Sequence, residues 1–189
     1  MSGVIVKGMS TGIIVPHILS LCGAAIGQSG VDYYAEIHTK PLNSYCHTIG
    51  MPFTIYGMLL WIPVLFNLSN RQYINIQKFL YTSYMTHYIF MDYAIGGATA
   101  VVYSVPLYYA RKKMNSTFLY LENNGSDKHS TVWEYARMHL FIKGLMVSSG
   151  ALILQECLGH WLSGDQASRA EAVPNAILYA MYYSISHIF

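Results

Sequence analysis

Two histidines, His38 and His47, stand nine residues apart in the stretch YYAEIHTKPLNSYCHTIGMPF, residues 33–53, with Pro41 and Asn43 between them. A neutral imidazole nitrogen is a usual ligand for Fe, Zn, Cu and Ni. Pro41 breaks any helix that would join the two histidines, so a bent segment can turn both rings towards one ion. Asn43 is placed to hydrogen-bond a loop carbonyl or the back of one ring. A second group occurs in QECLGHW, residues 155–161, where Glu156 and His160 are four residues apart. On an α-helix that spacing puts them on one face, one turn apart. The carboxylate then either shares a metal with the imidazole or orients its ring. Taken singly, each group also fits polar side chains at the ends of apolar helices.

The elements that must position these groups are apolar. Hydrophobic residues make up 53% of the 189-residue chain and charged residues only 11%, where soluble domains average about 25% charged. So few charges suit a chain whose sides are covered by lipid. The 17 tyrosines fit a protein with many interfacial aromatic rings. The net charge of +2 is small, and no basic run is interleaved with aromatics, which argues against nucleic acid as a partner. The three cysteines, Cys22, Cys46 and Cys157, form no CxxC pair. They exclude a disulfide framework and a zinc ribbon and read as small buried hydrophobes.

An apolar segment over 11–27 carries a proline and a histidine and fits a signal-like segment, a short membrane helix or a buried helix. A span with no charge runs over 50–66. The stretch 73–110 has 38 residues, about 57 Å as one helix against a hydrocarbon core of about 30 Å. It must fold back, and Asp92 with the glycines of DYAIGG marks the break. The basic RKK at 111–113 closes it, and 111–135 reads as polar connector. A further span covers 139–159, and an apolar segment ends the chain over 175–189. No strand periodicity appears. The expected fold is an all-α, polytopic transmembrane helix bundle, with four core spans and one or two flanking apolar helices. By the positive-inside rule the RKK end is cytoplasmic. The sequons at Asn115 and Asn124 in the same loop, and one at Asn67, are then a conflicting signal of less weight.

If the spans alternate in direction, His38, His47 and His160 meet at one end of the bundle. His87 lies five residues before Asp92, about 8 Å lower by helical rise, within reach of the same place. His139, 21 residues before His160, is about 31 Å away along a straight helix. His187 is disfavoured if the last segment descends from Pro174, and His17 and His129 have no partner. Ionisable groups at a membrane boundary are costly unless paired or functional. Three imidazoles and a carboxylate at one end are therefore better explained together, as a metal site, than singly.

Residues 33–52 resemble the Y-x-x-x-H-x-x-P-x-N-x-x-x-H-x-x-G-x-P element of the small endoplasmic-reticulum membrane family of 2-hydroxy fatty acid dioxygenases. Tyr34, His38, Pro41, Asn43, His47, Gly50 and Pro52 fall in place. MDYAIGGATA is similar to the family's break before a glycine-containing helix, and QECLGH to its Q-x-x-G-H element. The likeness covers about residues 33–165. Gln155 stands one position early, so that Glu156 occupies the family's glutamine position. After His160 this chain has Gly164 and Asp165 where the family has a glutamate and a Pro-Ala pair. The resemblance implies an Fe(II)-dependent, multi-pass enzyme of fatty acid α-oxidation. It would use O2 to shorten a 2-hydroxy fatty acid by one carbon, in the breakdown of hydroxylated sphingoid bases. It implies His38, His47 and His160 as iron ligands; the spacing of Glu156 from His160 adds Glu156 as a further catalytic residue, and Glu156 or His87 stays open as the fourth ligand. It divides the chain into an apolar extension over 1–30 and a membrane-embedded catalytic domain over 31–189.

Three other readings compete. A non-enzymatic membrane scaffold explains the spans but leaves the histidines as coincidence. A desaturase or hydroxylase would carry short-spaced HxxHH boxes, which are absent here. A haem protein needs two facing imidazoles.

Overall fold

The computed structural model describes residues 18, 20–21, 27–66, 68, 70–123, 131–165 and 173–188. Among the described residues these α-helices follow in order: α1 Gln28–Glu36, α2 Pro41–Leu65, α3 Asn70–Met91, α4 Tyr93–Asn123, α5 Thr131–Ile153 and α6 Val173–Ser186. Between α5 and α6 the chain continues as a π-helix, Leu154–Trp161. Among the described residues there is no strand, as expected. Most of the apolar segment 11–27, together with His17, Cys22, Asn67, Asn124 and His129, lies outside the described residues.

Pro41 occupies the first position of α2, preceded by Lys40 in the extended conformation that a following proline favours (φ −98°, ψ 136°). The fold-back at Asp92 is present. Its Oδ1 accepts hydrogen bonds from the backbone N–H groups of Ala94 (2.8 Å) and Ile95 (2.9 Å), which caps α4. Two boundaries differ from expectation. Helix α4 does not stop at RKK but runs on to Asn123, and α5 begins at Thr131 rather than near 139. Ala110, Met114, Phe118 and Leu121 fall at helical spacing and bury one stripe against Trp133 and Leu140. That packing outweighs the polar residues on the opposite face.

The long helices alternate in direction. Gly50 of α2 faces Gln155, and Gly57 faces Gly144 and Ser148, so α2 and the α5–π segment run antiparallel. Tyr81 of α3 donates a 2.6 Å hydrogen bond to the carbonyl of Ala100 in α4. Arg111 Nε donates to Gln77 Oε1 at 2.9 Å, so these two are antiparallel as well. Both α2 and the continuous stretch Thr131–Trp161 are long and apolar enough to cross a membrane.

The tyrosines divide between surface and core: Tyr45, Tyr93, Tyr108, Tyr109, Tyr120 and Tyr135 are exposed. Tyr73, Tyr88, Tyr103, Tyr179, Tyr182 and Tyr183 are core residues. Several spend their hydroxyls on carbonyl or hydroxyl oxygens: Tyr88 on Leu178, Tyr103 on Ser184 and Tyr183 on His38. Cys46 is buried as expected, whereas Cys157 is exposed.

A close backbone contact between α2 and α5 is made where Gly57 meets Gly144. A Cβ on Gly57 would lie 2.5 Å from the carbonyl oxygen of Gly144 and 2.6 Å from the amide nitrogen of Ser148. Backbone cannot move aside as a flexible side chain can. Gly57→Leu is therefore expected to destabilise the protein by about 2–3 kcal/mol, seen as a lower thermal midpoint in detergent. Gly150→Ala, where a Cβ meets nothing within 4 Å, is expected to leave the midpoint unchanged.

Candidate metal centre

Three elements deliver one histidine each. His38 lies in the short connector between α1 and α2, held by the Tyr183 hydroxyl, which donates to its carbonyl at 2.8 Å. The Tyr183 ring packs on the imidazole with centroids 5.1 Å apart. His47 sits in the second turn of α2, and His160 in the π-helix. The chain brings all three together, exposed by only 3%, 4% and 1%. His47 Nε2 lies 3.2 Å from His38 Nε2 and 3.3 Å from His160 Nε2. The rings meet edge to face, with centroids 4.5, 4.8 and 5.3 Å apart.

This geometry fits a metal ion. Two nitrogens each about 2.1 Å from one ion, at bond angles near 100–110°, stand about 3.2–3.4 Å apart. A neutral imidazole has one N–H and one lone pair, so three rings aimed at one point cannot all satisfy each other. A cation at that point accepts all three lone pairs. The same distances leave no room for a haem between His47 and either neighbour. Axial nitrogens lie on opposite faces of a macrocycle, about 4 Å apart, and no macrocycle fits between nitrogens 3.2 Å apart.

The supporting contacts are polar and buried. Asn43, fully buried, stands one turn before His47. Its Nδ2 lies 3.2 Å from His160 Nδ1, the ring nitrogen away from the cluster, and 3.4 Å from the carbonyl oxygen of Ile37. For Nε2 to offer its lone pair to an ion, Nδ1 must carry the ring proton. Asn43 thus holds both a loop carbonyl and the back of a ring, the two roles expected of it. The same nitrogen donates to Asp165 Oδ2 at 2.9 Å. Asp165 also accepts from Thr39 Oγ1 (2.6 Å) and from the Lys40 backbone N–H (2.9 Å). It therefore caps α2 from across the fold. Burial pushes its carboxyl up, but the hydrogen bonds from Thr39, Asn43 and Lys40 outweigh burial and hold it below the usual carboxylate value.

Glu156 is exposed and stands outside the group of close ligand atoms, but it lines the same cavity as His47 and Gln155; Gln155 is the buried one of the pair. Gln155 donates to Thr54 Oγ1 at 2.9 Å and to the carbonyl of Ala151 at 3.1 Å, and its side chain lies beside His47. Gly50 makes room for it: a Cβ there would lie 2.7 Å from Gln155 Cγ. The reason is the π-helix. Its i→i+5 hydrogen bonds put residues five apart on one face, so Gln155 shares a face with His160. The one-residue offset noted in the sequence is absorbed.

His87 does not reach the cluster either. It packs by the rings of Tyr88 and Tyr179, with centroids 5.9 Å away in each case. His139 is exposed and remote, as expected. The position of His187 reverses the expectation. Its Nε2 lies 2.8 Å from Thr48 Oγ1, because α6 carries the chain end back to α2 beside His47.

Sequence reasoning missed Gln155, Asp165, Tyr183 and His187 as parts of the site. Only Asp165 left a local signal: it follows Gly164, whose φ of +72° ends the helix.

Two outcomes are expected. His47→Ala abolishes stoichiometric binding of a divalent transition metal, read by elemental analysis of purified protein. Asp165→Asn lowers stability at neutral pH. A depressed carboxyl stabilises the fold above its unfolded pKa and loses that contribution as pH falls through the folded value. The melting difference between wild type and Asp165→Asn should therefore narrow as pH is lowered below about 4.

No protein-family model, curated protein or solved structure matches this chain.

Proposed function

We propose that this protein is a membrane-embedded, Fe(II)-dependent dioxygenase that shortens 2-hydroxy fatty acids by one carbon. The observation that carries the reading is the convergence of three imidazole nitrogens at the end of an apolar cavity. The cavity, about 410 Å³, is lined by His47, Thr54 and Gln155 at one end. It continues past Met51, Ile55, Met58 and Leu59 to Ile62, Gln77 and Leu107 at the other. From His47 to Ile62 is 15 residues of α2, about 22 Å by helical rise.

His38, His47 and His160 would hold the iron, leaving positions open on it. Asn43 and Gln155 orient two of the rings, as carboxamides do around metal-binding histidines. Bound iron would supply O2 chemistry and a Lewis-acid site for the carboxylate and 2-hydroxyl of the substrate. The apolar lining excludes water and aligns the acyl tail, so that the C1–C2 bond lies at the histidine end. The balance is one hydroxy acid and one O2 giving the acid one carbon shorter, CO2 and water.

Membrane embedding is supported by the outer faces of the helices. Leu42, Tyr45, Ile49 and Phe53 on α2, with Ile142, Leu145, Met146 and Ile153 on α5, are exposed. In each of these two spans only 28% of the most apolar window is buried within the protein. A soluble core helix would be buried there, and lipid is the medium that suits such a face. The reading extends to a four-span bundle that includes α3 and α4, in the endoplasmic reticulum, with the RKK end cytoplasmic.

Purified protein supplied with Fe(II), O2 and 2-hydroxy acids of several lengths is expected to form the acid one carbon shorter. Turnover should stop on chelation and in His160→Ala. A folded protein that carries no metal and forms no shortened acid would overturn the reading in favour of a scaffold.

A further inference from the structure

The lower end of the cavity carries polar groups that the histidine centre does not use. Gln77 lines the cavity and is 2% exposed. Its Oε1 accepts from Arg111 Nε at 2.9 Å. Among the described residues its Nε2, the Nη2 of Arg111 and the hydroxyl of Tyr73 are buried and meet no partner at close hydrogen-bond geometry. The Tyr73 phenol stands in loose hydrogen-bonding range of the Gln77 side chain and faces Arg111; of the three residues Gln77 lines the cavity and the other two pack beside it. The ionisable neighbours of the guanidinium are phenols, those of Tyr73 and Tyr81.

The placement follows from the helices. Tyr73 and Gln77 are one turn apart on α3, and Arg111 lies one turn beyond the cavity residue Leu107 on α4. A guanidinium N–H, a carboxamide N–H and a phenol O–H therefore converge, and all three can donate. A buried donor left without an acceptor costs free energy. Ionisable groups held inside a membrane bundle are kept there by function. The partner that satisfies all three donors at once is an anionic oxygen with several lone pairs, on a carboxylate or a phosphate.

We propose that Tyr73, Gln77 and Arg111 form a binding site for the carboxylate or phosphate headgroup of a single-chain amphiphile, whose tail rises into the apolar cavity. The occupant would lie with its headgroup at the end opposite the histidines. A tail is part of the proposal because the site opens onto an apolar cavity, where a chain gains by burial. The site does not depend on the metal centre.

The test is calorimetric titration of the full-length protein in phosphatidylcholine nanodiscs with dodecyl phosphate, dodecanoate, dodecanol and inorganic phosphate. The two chain-bearing anions are expected to bind saturably. Their affinity should fall at least about tenfold in Arg111→Gln and in Gln77→Leu, and less in Tyr73→Phe. Tyr73→Phe removes a single hydroxyl from a buried ring and keeps the packing, so the test survives misfolding of the other two. Chelation should leave the titration unchanged, which separates this site from the metal reading. Dodecanol binding as tightly as the anions would overturn the proposal, as would equal affinities in wild type and all three variants. Inorganic phosphate matching dodecyl phosphate would overturn the amphiphile and leave a free-ion site.

Discussion

Backbone against backbone is the closest approach two helices can make, and α2 and α5 make it where Gly57 meets Gly144. Small residues at such a crossing let neighbouring turns interlock over a long stretch. His47 stands above that contact on one helix and His160 on the continuation of the other. Their nitrogens come within 3.3 Å because the helices beneath them cannot separate. The π-helical segment then trims the rotation. Without its wider turn, the residue facing α2 beside His160 would be Glu156, and an exposed carboxylate would replace a buried carboxamide at His47.

Around this frame the buried polar groups are arranged in two sets with an apolar space between them. At the upper set, imidazoles, carboxamides and the Asp165 carboxylate answer one another through named contacts. At the lower set, Tyr73, Gln77 and Arg111 present donors in excess. Low dielectric makes both sets consequential, since a buried polar group is either matched or expensive. The tyrosine-rich core belongs to the same logic. Tyr88, Tyr103 and Tyr183 fill volume between helices, and their hydroxyls reach a carbonyl or a serine across the packing.

Much of this was legible in the chain. The apolar runs, the fold-back at Asp92 and the break at Pro41 are local properties, set by composition and by residues that cap or interrupt helices. The meeting of His38, His47 and His160 followed from counting reversals of direction, which needs no side-chain detail. The ends of α4 and α5 were misjudged because polar residues on one face concealed the buried stripe Ala110, Met114, Phe118 and Leu121 on the other.

The sequence by itself determined that the chain is helical and apolar, where it turns, and which histidines share an end. Local propensity and periodicity decide those features. Tertiary structure alone decided that Gln155 is buried against α2 while Glu156 is exposed at the cavity wall, that Asp165 accepts from Lys40, the residue before α2, 125 residues earlier, and that His187 returns to Thr48. These depend on helix rotation and on where the last helix docks. Both are set by packing between segments far apart in the chain, which no short stretch of residues encodes.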